Sequence, residues 1–337
     1  MGGAGQREEK GLLERGSDAA SAIGSEHHMR RAFSISVAIV VAACITTGCG
    51  AGTEGATKSA KPPKRDTVAI SDGELRNLTV PEEMEIEYAE YALVRECMEA
   101  EGFSYWVGPV ASAEARRAGR YVIDDVTWAK KYGYGRPFDE AAEKERSEHP
   151  NVRFPNALPQ KDRIRYNTAL NGDYDDVLRV DLPAGGTVET PRTGCWAGAR
   201  AHLYGDLEAW FKAKKTVTSL TPLYVPRILA DDRMKKTVSA WSHCMKDADR
   251  PFSSPDDIRE KRIANTTGMS SKEARAFEVE LAVTEATCAV RTDLGKTARK
   301  LEREYRSTVL KRYAKENSAY QRMGLAALSR ARELTGE

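Results

Sequence analysis

Cysteine is the residue type in this chain able to do the most specific chemistry, and there are six: Cys44, Cys49, Cys97, Cys195, Cys244 and Cys288. A thiol can ligate a metal, act as a nucleophile, carry a lipid through a thioether, or pair as a disulfide. Spacing narrows the choice. No C-x-x-C occurs and the last four cysteines are far apart in sequence, so a zinc site is not expected. The reading calls for no metal and no cofactor. The last four form an even set, which outside the cytosol reads as disulfides. Cys44 and Cys49 stand apart from them, at the end of an apolar run.

That run has the form of an export signal. Arg30 and Arg31 follow Met29, apolar residues extend from Ala32 to Ala43, and small residues follow. A bilayer-spanning helix needs about 20 apolar residues, so the run is too short for one, and it matches a signal peptide over 29–48. Residues 1–28 are polar and glycine-rich and are expected to be a misassigned extension, with the start at Met29. Gly48-Cys49 resembles the lipobox of bacterial lipoproteins, in which a small residue precedes a cysteine that becomes diacylated and then N-terminal. Thr46 stands where that pattern prefers an aliphatic residue, and Val41-Ala42-Ala43-Cys44 is a rival box. Cys49 is preferred because a flexible Gly50-Ala51-Gly52-Thr53 follows it. Cleavage there also removes Cys44 and leaves no odd thiol. The partner implied is the membrane, reached through two acyl chains, since one chain alone binds only marginally. Residues 49–74, rich in Gly, Ala, Thr, Lys and Pro, are expected to form a lipidated flexible tether.

The remaining 75–337 should be one helical body with a weak internal repeat, about 81–215 and 228–337. In each unit a Cys-Met dipeptide ends an amphipathic helix, Cys97-Met98 and Cys244-Met245, with aromatics after it, and a cysteine on a later helix answers it. Four cysteines allow three connectivities. The repeat favours Cys97 with Cys195 and Cys244 with Cys288.

Other chemistry is sparse. The chain has no HExxH, no G-x-S-x-G and no GxxxxGK[ST], so zinc proteolysis, the common hydrolase elbow and a nucleotide loop lack support. Asp173-Tyr174-Asp175-Asp176 begins like a calcium loop but lacks its glycine and its final acid. His149, His202 and His243 read as structural or surface residues. Lys plus Arg number 52 against 50 Asp plus Glu, a net charge of +2 that gives no case for nucleic acid. One segment could touch a ligand. Tyr132, Tyr134, Arg136 and Phe138 alternate with Gly133, Gly135 and Pro137, and could stack on a sugar or peptide; the favoured reading is that the same side chains pin the segment to a core. Trp196, beside Cys195, is expected to shield a disulfide.

The elements that must position these residues are mostly helices. Thr79-Val80-Pro81-Glu82 marks a helix start, and Ile86, Ala89, Leu93 and Cys97 then share a face before Gly102 stops it. Short helices are expected over 112–118, 137–149 and 159–170, with short strands over 121–123 and 177–182. Cys195 should open a helix to about Lys215, Pro222 and Pro226 should break the chain, and further helices are expected over 228–246 and 254–263. Ser270 and Glu273 form a capping box for a helix carrying Cys288. From Leu294 the apolar pattern continues at near-heptad spacing through Leu328, which predicts one or two long amphipathic helices, packed within the chain in preference to a self-associating coiled coil.

The order of these features resembles uncharacterised secreted proteins and lipoproteins of actinobacteria. It comprises a Cys-Met at a helix end, a YGYG segment, Tyr166 to Gly172, Gly194-Cys195, a second W-x-x-CM, and Glu278 to Cys288. The resemblance implies an exported, disulfide-bonded protein and no particular activity. The fold class expected is mainly α: a disulfide-stapled helical assembly with a long C-terminal amphipathic helix and little β. The function expected is that of a lipid-anchored cell-envelope protein with a binding or structural role towards envelope proteins or cell-wall polymer. The alternatives are an envelope enzyme acting on cell-wall polymer and a solute-binding lipoprotein.

Overall fold

The computed structural model describes residues 70–336, so the expected signal, both lipidation candidates and most of the expected tether lie outside the described residues. The body is 71% helix and 4% strand.

Helix α1 (Val80–Ala100) begins where its sequence says. Thr79 caps it, Glu82 reaches back to the Thr79 amide at 2.8 Å, and Pro81 occupies the first turn. Arg76 holds the same Glu82 through 2.6 and 2.7 Å bonds. Ahead of α1, Asp72 pairs with Arg322 and Asn77 accepts from Gln321 at 2.9 Å, so the chain is already docked from about residue 72, short of the expected tether boundary. The next region is more helical than its glycines and prolines suggest. It holds α2 (Val126–Tyr132), α3 (Arg136–Glu148), α4 (Pro150–Ala157) and α5 (Gln160–Asn171). Residues 112–118 make only a 3-10 turn at Ala115–Arg117, and 121–123 form no strand. Val122 and Ile123 are buried as irregular chain against the largest core instead. Strands β1 (Val177–Asp181) and β2 (Thr187–Pro191) pair antiparallel across the turn at Gly185-Gly186.

The helix expected from Cys195 divides into α6 (Gly194–Tyr204) and α7 (Leu207–Thr218). Gly205 turns the chain at φ 88°, and Asp206 caps α7 through the Ala209 amide at 2.9 Å. The prolines expected to break the chain lie within α8 (Thr221–Ala230), Pro222 at its start and Pro226 inside it. Pro222 removes an N–H that has no helical partner anyway. Then come α9 (Asp232–Asp247), α10 (Pro255–Asn265) and α11 (Ser271–Arg291), the last starting at the Ser270–Glu273 capping box. α12 (Leu294–Leu310) and α13 (Ala314–Thr335) join through one 3-10 turn into a helical stretch of 42 residues.

The largest core lies among α2, α8, α9, α11 and α12, around Trp241, Met245, Leu281, Leu294 and Leu301. A second, around Val94, Met98 and Tyr166, joins α1, α5 and α6. α13 packs on α1, α6 and α7, so the last helix of the chain closes over the first half. Each core has its staple. Cys97 bonds Cys195 and Cys244 bonds Cys288, with Cα separations of 5.5 and 5.7 Å, within the range a disulfide spans. The helix ends of the repeat are alike: Phe103 N–H bonds the Met98 carbonyl and Arg250 N–H bonds the Met245 carbonyl, both at 2.9 Å. The left-handed residue before each donor is Gly102 in one and Asp249 in the other. The answering cysteines differ, since Cys195 lies at the start of α6 and Cys288 near the end of α11.

Cys195 is delivered by a close crossing. Gly194, at φ 88°, lies so near the end of α5 that a Cβ would stand 2.3 Å from the Gly172 nitrogen. A side chain at either glycine would push α6 away from α5.

Candidate functional site

The strongest concentration of buried charge gathers around the tyrosine–glycine segment. α11 carries Glu278 and Glu285, seven residues apart and therefore on one face; they are 1% and 0% exposed. Arg136, at the start of α3, grips Glu278 with two 2.7 Å bonds, and Arg262 of α10 adds a third at 3.2 Å. Arg259 of α10 bonds Glu285 Oε1 at 2.7 Å, and the Tyr134 hydroxyl donates to Glu285 Oε2 at 2.8 Å. Trp241 donates its indole N–H to the Glu285 carbonyl at 3.3 Å. The guanidinium carbons of Arg259 and Arg262 each lie 5.3 Å from the centre of the Tyr134 ring.

Local sequence makes this arrangement possible. Gly135 adopts φ 98°, and a Cβ there would come within 2.6 Å of the Ala118 Cβ. The glycine therefore lets Tyr134 turn inward while Arg136 starts a helix. Burial drives the Tyr134 hydroxyl far above its ordinary value, with Glu285 adding to the effect. Burial also pushes the Asp256 carboxyl up to about 6, opposed by Arg259 and by a hydrogen bond from Tyr121. Burial likewise drives the Tyr121 hydroxyl upwards. Three acids thus face three arginines. A buried ion pair is costly to break and gives modest net stability when intact, so the cluster works first as an orientation device for α3, α10 and α11.

Of the four side chains singled out as ligand contacts, two belong to this cluster and two to an aromatic patch beside it. The Tyr132 ring lies 4.7 Å from Phe138 and 5.4 Å from Trp128. All four make contacts within the protein. Trp196 packs edge-on against Tyr91 at 5.4 Å, beside the Cys97–Cys195 bond.

The histidines occupy separate settings. His149 caps α4 by accepting from the Asn151 amide at 3.1 Å and lies 3.3 Å from Glu145. His243 is exposed on α9, with Nδ1 2.7 Å from the Ser239 carbonyl, and His202 is half-buried in α6. Among the described residues no group of three or more His, Cys, Asp or Glu is placed to hold a metal ion. Nor is any described helix long and apolar enough to cross a membrane.

Glu278 and Glu285 were not separable from the other acids by type. Their signal was position, because both fall at the spacing of the apolar residues Leu281, Ala282 and Ala289 that face the core.

An open groove of about 580 Å³ runs past the C-terminal end of α1, lined by Arg95, Glu99 and the segment from Gly102 to Val107. Arg95 also borders a smaller depression of about 240 Å³ with Tyr88, Ala92 and Leu334. None of the buried charged residues lines either one. The segment beyond Gly102, read from sequence as irregular, was not expected to carry a surface of this kind. Comparisons with family models, with curated proteins and with solved structures return no match.

Proposed function

We propose that the chain is a lipid-anchored protein of the bacterial cell envelope, held at the outer face of the membrane through Cys49, whose helical body binds or braces envelope components. The observation that supports it most is the cysteine arrangement. Four body cysteines form two disulfides, one in each main core, which is compatible with an extracytoplasmic location and leaves Cys44 and Cys49 as the thiols whose fate needs another account. Lipidation of Cys49, with Cys44 removed in the signal, supplies that account.

A binding or structural role fits the site chemistry better than catalysis. Glu278 and Glu285 are enclosed and engaged by arginines, and the histidines stand in unrelated local contacts. A solute-binding body of two β/α lobes has little support where the described residues hold one two-stranded sheet.

The test is chemical crosslinking of the full chain in envelope preparations, followed by identification of what is joined to it. Enrichment of a defined envelope protein or wall polymer over a control lipoprotein is expected. Recovery of nothing above that control sinks the binding role.

A further inference from the structure

We propose that the open groove at the end of α1 is a carbohydrate-binding site, which takes a pyranose glycan chain with one sugar stacked on Trp106. This rests on the envelope reading above and names the ligand class of that body.

Trp106 is the tryptophan the fold leaves out. It is 39% exposed, while Trp128, Trp210 and Trp241 are 6%, 2% and 0% exposed and Trp196 is partly buried. Its exposure is not looseness. The Asn151 side chain clasps its backbone from both sides, accepting from the Trp106 N–H at 2.9 Å and donating to the Trp106 carbonyl at 2.7 Å. Phe154 props the ring edge-on at 5.8 Å. A fixed aromatic surface gains contact area without paying side-chain entropy on binding. The flat C–H face of a pyranose suits an indole, which offers an apolar body and a polar N–H.

The flanking groups suit hydroxyls. Arg95 and Glu99 lie in the groove 3.9 Å apart, beyond hydrogen-bond reach, and both are well exposed. One offers donors and the other acceptors, as a polyol requires. Ser104 and Tyr105 line the same groove. Its shape selects an extended ligand. Small-solute sites enclose most of the ligand surface, whereas this groove is open and adjoins the second depression at Arg95. The groove lies at the C-terminal end of α1, which at 1.5 Å per residue is roughly 30 Å along the helix from Val80.

The experiment uses the full chain in a non-ionic detergent, titrated with the β-1,4-linked tetramers of N-acetylglucosamine and of glucose and followed by calorimetry and tryptophan emission. Saturable binding of at least one tetramer is expected, with an emission change. Trp106→Ala should weaken it by about tenfold or more, as loss of a central aromatic contact does. Arg95→Ala should weaken it less, and Ile164→Ser, an exposed change on α5 outside the groove, should leave it unaltered. If Trp106→Ala fails to fold, the Arg95 and Ile164 variants carry the comparison. Absence of saturable binding by both tetramers, or equal binding by wild type and the groove variants, overturns the site. The crosslinking experiment separates the two readings. Enrichment that Trp106→Ala leaves intact keeps the envelope reading and removes the groove, and enrichment of nothing above the control removes the envelope-binding role.

Discussion

The Tyr134 hydroxyl donates to Oε2 of Glu285 across 2.8 Å, joining a glycine-flanked segment to a helix 151 residues further on. Arg259 holds the other oxygen of the same carboxylate at 2.7 Å. A side chain that could have faced a ligand is thereby spent on the core, and the carboxylate beneath it has partners on both oxygens.

Removing either partner therefore exposes a mismatch. Tyr134→Phe should lower stability by about 1–3 kcal/mol, the cost of leaving a buried acceptor unmet. Arg259→Ala should cost more, about 3–5 kcal/mol, because it strands a buried charge. Replacing Arg259 and Glu285 together by Met and Leu should cost less than Arg259→Ala alone, because only the Tyr134 hydroxyl is then left without its partner. Urea midpoints on the four proteins decide it, and equal losses for the single and double replacements would refute the ion-pair account.

The staples can be weighed in the same way. Loops of these lengths give roughly 4–5 kcal/mol in the chain-entropy model, with strain reducing the figure. Replacing Cys244 and Cys288 together by Ser should cost about 2–5 kcal/mol and leave the Cys97–Cys195 bond in place. Non-reducing peptide mapping should join the Cys97 and Cys195 peptides; a Cys97–Cys244 link would contradict the structure.

Gly194→Ala tests how Cys195 is delivered. The added methyl would stand 2.3 Å from the Gly172 nitrogen at a φ of 88°. The expected result is a loss exceeding about 1 kcal/mol, together with incomplete closure of the Cys97–Cys195 bond by thiol titration.

Asp256 gives a pH dependence of definite sign. Burial raises its carboxyl from 3.8 to about 6. The folded chain then holds a proton that the unfolded chain has released, so this contribution to stability is present at low pH and lost as pH rises from about 4 through 6. Asp256→Asn should gain about 1 kcal/mol over wild type at pH 7.5, a modest figure because a partly buried group is still screened by solvent. At pH 4 the gain should vanish. A gain independent of pH between these values would assign the effect to packing.

If the chain is lipidated at Cys49 as proposed, Cys49→Ala should shift it from the membrane fraction to the soluble fraction, and Cys44→Ala should not. The opposite pattern would assign the proposed lipidation to Cys44.

Features that depend on neighbours a few residues away were legible in the sequence. Thr79 with Glu82 and Ser270 with Glu273 set the starts of α1 and α11, because a cap is a contact over three residues. The apolar spacing from Leu294 to Leu328 made the long C-terminal helix readable, and the repeated Cys-Met made the disulfide pairing readable. The Gly205-Asp206 break also had a local signal, a turn residue followed by a cap, outweighed by the apolar pattern on either side. The remainder depends on contacts between distant parts of the chain. β2 exists because β1 lies opposite it, and α4 forms despite Pro155 because its Phe154 packs against Tyr166 and Trp106. Glu278 and Glu285 became a charge cluster only when α3 and α10 brought arginines to them. Trp106 became a fixed, exposed surface only through Asn151, 45 residues away. Burial, ion pairing and exposure are properties of what the rest of the chain places around a residue, and local spacing carries no record of that.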